Sequence, residues 1–143
     1  MSASAILNEQ GVRAALRLAW FESEPGLTNA HEEGGFILRD EAGKILIARW
    51  PRGGKSTILI PPHENCLLER REIIATFHTH PNTGPDYLQE PCEADRRAVR
   101  DDADLKGASY IGELVISEEV IYLIAPTGEV SKESRTWEAL SEE

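Results

Sequence analysis

His78 and His80 stand two residues apart, after the run Arg71-Glu72-Ile73-Ile74-Ala75-Thr76-Phe77 and just before Pro81. That run is β-branched and aromatic enough to read as a buried strand, and side chains two apart on a strand share a face. Two imidazoles projecting together where a proline stops the strand can offer two nitrogens to a metal of the zinc type. A third ligand is needed. Asp95 is the nearest good candidate, placed where Pro91 and the acidic residues after it mark the first turn of a helix through Arg96, Ala98 and Val99. Two histidines and one carboxylate leave a fourth position open, as catalytic zinc sites do, whereas structural sites close all four with Cys or His.

The elements that must hold these groups follow from the hydrophobic pattern. Asn8 can cap a helix over about residues 8–23, with Val12, Ala15, Leu16 and Ala19 on one face, widened by Trp20 and Phe21. Pro25-Gly26 ends it. Gly34 to Leu38 and Lys44 to Trp50 read as an antiparallel hairpin turning at Asp40-Glu41-Ala42-Gly43. Thr57 to Ile60 reads as a third strand, and Cys66 to Arg70 as a short helical turn feeding the histidine strand. A helix is expected from about Glu93 to Leu105, then a hairpin of Tyr110 to Ile116 and Val120 to Ile124 turning at Ser117-Glu118-Glu119. The tail, 131–143, carries Trp137 and Leu140 and reads as a short docked helix with a frayed acidic end. This order predicts one mixed α/β (α+β) domain over residues 1–143, a mainly antiparallel sheet flanked by helices.

Composition limits the functions available. A chain of 143 residues can bury its own core without disulfides. Fifteen basic against twenty-five acidic residues give a net charge of −10, which argues against a nucleic-acid binder and against docking on an anionic membrane. No stretch approaches the roughly 20 apolar residues of a membrane span, and the first residues lack a basic, apolar leader, so a cytoplasmic location is expected. Cys66 and Cys92 are then free thiols. His31 and His63, beside Glu or Pro in expected loops, read as exposed and inert; Trp20, Trp50 and Trp137 read as packing residues.

Glu32-x-x-Gly35-Phe36-Ile37, then His78-Thr79-His80-Pro81, then Cys92-x-x-Asp95 together resemble the signature of the JAB1/MPN/Mov34 metalloenzymes, the JAMM isopeptidases, over about residues 32–125. The resemblance implies an MPN/JAB-like (cytidine-deaminase-like) fold, zinc held by His78, His80 and Asp95, and Glu32 as base for a water on the fourth position. It also implies a peptide or isopeptide substrate at the C-terminal tail of a ubiquitin-like protein. Two departures stand out. Cys92 occupies the place of a Ser that helps stabilise the oxyanion, and the stretch from His80 to Asp95 is about four residues longer than the common spacing.

The chemistry demands such a set. Zinc lowers the pKa of bound water to about 7 and polarises a carbonyl, and a carboxylate must move the water proton to the leaving amine. Glu32 can do so if the strand starting at Gly34 lies beside the histidine strand; Glu33 would face the other way. A Cys92 thiol donates more weakly to an oxyanion than a hydroxyl. As a thiolate it could instead be the third zinc ligand, with Asp95 standing behind it. The expected activity is a zinc metallopeptidase. A non-catalytic MPN-like scaffold and a zinc hydrolase of a non-peptide amide are the other readings, and an exposed strand or the tail around Trp137 could support a homodimer.

Overall fold

The computed structural model describes residues 1–141. Among them, helices α1 (Ala3–Leu7), α2 (Gln10–Glu22), α3 (Glu93–Arg100) and α4 (Thr136–Ala139) surround a sheet of seven strands. The strands are β1 (Gly34–Arg39), β2 (Ile45–Arg49), β3 (Leu67–Leu68), β4 (Arg71–Thr79), β5 (Glu113–Ile116), β6 (Val120–Ile124) and β7 (Val130–Arg135). Their order is β2-β1-β4-β5-β6-β7, with β3 added to β4. Every pairing is antiparallel except β4 with β5. A parallel pair needs a long crossover, and here the crossover carries α3 and a 3-10 turn, Ala103–Leu105. Among the described residues no helix is long and apolar enough to cross a membrane.

Both faces of the sheet are covered. On one, Val12, Leu16, Ala19 and Trp20 of α2 bury against Ile37, Ile74, Phe77, Leu114 and Ile121, joined by Ile6 of α1 and Leu140 after α4. On the other, Val99 of α3 and Leu105 pack with Phe36, Ile73, Val115, Tyr110 and Ile124. Strand alternation sorts most of these residues. In β4 the sorting switches midway. Leu38 pairs with Ile73 and Ile37 with Ala75, so Ile74 is a bulge residue facing the α2 side together with Ala75. Downstream of the bulge the parity is reversed, and Thr76 and His78 face α3. Without that extra residue the histidines would point into the α2 core.

Several local expectations are corrected. Asn8 ends α1, donating its N–H to Ser4 and Ala5 carbonyls, and α1 is capped by the Ser2 hydroxyl. Glu9 therefore precedes α2. Phe21 is 60% exposed and stacks on the half-exposed Trp137, ring centroids 5.8 Å apart, so neither is core. Thr57 to Ile60 forms no strand: Ile58 and Ile60 lean on the core while Leu59 is 86% exposed. Cys66 to Arg70 holds β3 and a two-residue hairpin loop, Glu69-Arg70, with both residues at positive φ, not a helical turn. Helix α3 stops at Arg100, and most of the tail's first half is the edge strand β7. The end of the tail expected to fray, Glu142 and Glu143, lies outside the described residues.

Candidate metal centre

The end of β4 delivers the two imidazoles, His78 within the strand and His80 just past its last residue, Thr79. Gly34 of β1 lies opposite His78, and a Cβ there would sit 2.6 Å from both the Phe77 carbonyl and the Trp50 ring. Only glycine lets β1 approach this closely, and that approach carries the residues before it alongside the histidines. Glu32 is tied by its backbone to the next loop, its N–H donating to Gly54 O at 2.8 Å and its carbonyl accepting from Gly53 N at 2.9 Å. Its side chain lines a cleft of about 250 Å³ with His80, Cys92 and Asp95. Burial raises the Glu32 carboxyl, against the opposing pull of His78 and His80.

Glu33 faces the other way. Its carboxylate meets His31 Nε2 at 2.6 Å and Arg49 at 2.7 Å. Its backbone brackets Thr79, the residue between the two histidines: Glu33 N–H donates to Thr79 Oγ1 at 3.0 Å, and Thr79 N–H to Glu33 O at 2.9 Å. Arg49 continues to Glu22 of α2, so this cluster clamps the chain just ahead of β1 against β4. His31 is thus buried and bonded, contrary to the expectation that it is exposed and inert. His63 is corrected likewise, with Nε2 2.8 Å from Asp102 and Nδ1 2.7 Å from the Pro61 carbonyl. Trp50 is buried against Phe36.

Asp95 arrives from the start of α3. Cys92 is the N-cap, and the two residues form a reciprocal box: the Asp95 N–H points at the Cys92 sulfur, and Cys92 N–H donates to Asp95 Oδ2 at 2.9 Å. The Asp95 oxygens then face both histidines, Oδ2 3.1 Å from His80 Nε2 and Oδ1 3.5 Å from His78 Nε2. Each Nδ1 is already spoken for. A carbonyl and a carboxylate can only accept, so His80 Nδ1–H donates to Gln89 O at 3.0 Å and His78 Nδ1–H to Glu113 Oε2 at 2.6 Å. Among the described residues His78 Nε2 is left without a hydrogen-bond partner, and His80 Nε2, bonded to Asp95 Oδ2, could exchange that bond for a cation shared by all three. One donor atom from each of His78, His80 and Asp95 lies within 4.8 Å of the others, a group that could hold a metal ion.

The fit to a cation has independent support. His78 Nε2 is buried and has no hydrogen-bond partner among the described residues, which is costly unless something binds it. Burial works against a charged His78, yet Glu113, Asp95 and Glu32 together raise it to about 9. Burial would lift Asp95, but the His80 hydrogen bond, the His78 charge and the Cys92 N–H hold it well below the usual carboxylate range. The surroundings therefore favour positive charge between these groups. Cys92 is exposed, its thiol pushed up chiefly by local burial, and it stands outside the converging three. Cys66 is also a free thiol.

Sequence reasoning missed two partners. Glu113 is a lone acid in an apolar strand, a pattern that could have flagged it. The Gln89 carbonyl carried no such signal. A larger hollow of about 460 Å³ runs along residues 51–62, but its lining, including Pro51, Ile58 and Pro62, holds no His, Cys, Asp or Glu. No family model, curated protein or solved structure matches the chain.

Proposed function

We propose that the chain is a zinc-dependent peptidase or isopeptidase of the JAMM type on an MPN-like fold, cutting beside the C-terminal tail of a ubiquitin-like protein. The observation that carries this reading is the convergence of His78 Nε2, His80 Nε2 and Asp95 at the wall of a cleft that His80, Asp95 and Glu32 line. When bound, zinc supplies Lewis acidity and an acidified water. His78 and His80, their Nδ1–H groups held from behind, present lone pairs, and Asp95 completes a set that leaves room for water and substrate. Glu32, raised by burial, is suited to accept the proton of the attacking water and return it to the amine as the bond breaks. The Cys92 thiol on the cleft wall is a weak donor for the carbonyl oxygen as charge develops there.

That same thiol favours one second reading, an MPN-like scaffold with little or no turnover. The test is hydrolysis of a panel of ubiquitin-like fusions and isopeptide conjugates, with and without chelator. Chelator-sensitive cleavage that Glu32→Gln removes supports the peptidase. Zinc binding without cleavage of any fusion points to the scaffold.

A further inference from the structure

The two histidines are backed unequally. His80 leans on a neutral carbonyl, that of Gln89 in the loop between β4 and α3. His78 leans on a carboxylate, Glu113 Oε2 at 2.6 Å, from the middle of the sheet. The parallel register pairs Thr76 with Glu113 and His78 with Val115, which sets Glu113 on the face that Thr76 and His78 share. Its strand neighbours Leu114, Val115 and Ile116 are wholly apolar and fully buried.

Glu113 is 3% exposed, and its Oε1 has no hydrogen-bond partner among the described residues. For a sheet interior this is an expensive residue, since a buried carboxylate needs pairing and hydrogen bonds that an apolar side chain would not. A carboxylate behind a metal-binding histidine fixes the Nδ1–H tautomer, locks the ring and makes the far nitrogen a better ligand. With both histidines neutral, Asp95 and Glu113 would also bring two negative charges to balance a dication.

We infer that Glu113 is a positioning residue for a divalent cation: it holds His78 Nδ1–H and aims the unpartnered Nε2 at the space between His80 Nε2 and Asp95. This rests on the reading of His78, His80 and Asp95 as metal ligands. A purely structural Glu113 would act differently, supporting the fold while leaving the metal affinity of folded protein unchanged.

Zinc affinity, measured by competition with a chromophoric chelator, separates these cases in the wild type, Glu113→Gln, Glu113→Ala and His78→Ala, with circular dichroism reporting the folded fraction. If the wild type binds no zinc, or His78→Ala binds it equally well, the ligand reading itself falls. Given zinc binding that His78→Ala removes, Glu113→Gln keeps an acceptor oxygen but loses the charge, and should weaken binding about 10-fold; Glu113→Ala should weaken it up to about 100-fold. Histidine ¹⁵N spectra of the metal-free protein with His78 neutral should show one Nδ1–H tautomer in the wild type and a mixture in Glu113→Ala. Equal zinc affinity in folded wild type and Glu113→Gln, with an unchanged tautomer in Glu113→Ala, overturns the inference.

Discussion

Replacing His78 by leucine in the metal-free protein should strand the carboxylate behind it. Among the described residues Glu113 Oε2 has His78 Nδ1 as its hydrogen-bond partner at 2.6 Å, Oε1 has none, and the residue is almost wholly buried. Breaking a buried pair by removing one member typically costs about 3–5 kcal/mol, because the remaining charge is uncompensated. At about 3 °C per kcal/mol for a chain of this size, the melting temperature should fall by roughly 9–15 °C. The double variant His78→Leu/Glu113→Leu removes the stranded charge and places apolar side chains opposite Val115 and Ile124, so most of the loss should return. Urea denaturation of chelator-treated wild type, single and double variants reads the difference directly, and the interaction energy comes from the cycle. If the double variant is no more stable than His78→Leu, the pair is not what holds Glu113 in the sheet, and the account of this site is wrong.

Other expectations follow from the same geometry. Glu32→Gln should keep zinc and lower turnover by about 10²-fold or more, since it removes a proton acceptor without touching a ligand. Glu33→Gln should instead cost about 1–3 kcal/mol of stability in urea titrations, because it disturbs the bonds to His31 and Arg49; loss of turnover without loss of stability would exchange the roles of the two residues. In metal-free protein the folded-state value of His78 is raised from 6.5 to about 9, so its contribution to stability is fully present below 6.5 and is lost as pH rises through 9. Urea midpoints of the chelated protein should fall across that window, and a midpoint that rises there contradicts the assignment. Cys92→Ser should keep zinc and maintain or raise activity, with the stronger N-cap and hydrogen-bond donor that serine provides; zinc lost in Cys92→Ser and kept in Asp95→Asn would make Cys92 the third ligand.

The sequence disclosed its strands and hairpins where apolar periodicity was strong and the turns were polar, as at Asp40 to Gly43 between β1 and β2 and Ser117 to Glu119 between β5 and β6. It also disclosed that His78 and His80 share a face, because period-two alternation holds beyond the bulge. Which face they share was hidden, since the bulge at Ile74 is set by pairing with β1 rather than by any local signal. Glu69 and Arg70 adopt positive φ without glycine or asparagine, so the β3 turn was invisible. Thr57 to Ile60 has the composition of a strand but forms none, a fact of tertiary arrangement. The opposite holds for β7, whose polar residues suit an exposed edge that composition alone does not mark as a strand. At the centre, residue types and spacing pointed to the converging donors; the backing by Glu113 and Gln89 needed the β4 to β5 pairing and the folded loop.

Zinc content of the purified protein, measured by elemental analysis beside a His78→Ala/His80→Ala double variant, tests the central claim most directly. About one zinc per chain is expected in the wild type and none in the folded double variant, since one carboxylate cannot hold the ion without the two imidazoles. Full zinc occupancy in that variant, or a wild type that takes up no zinc when it is supplied, would contradict that claim.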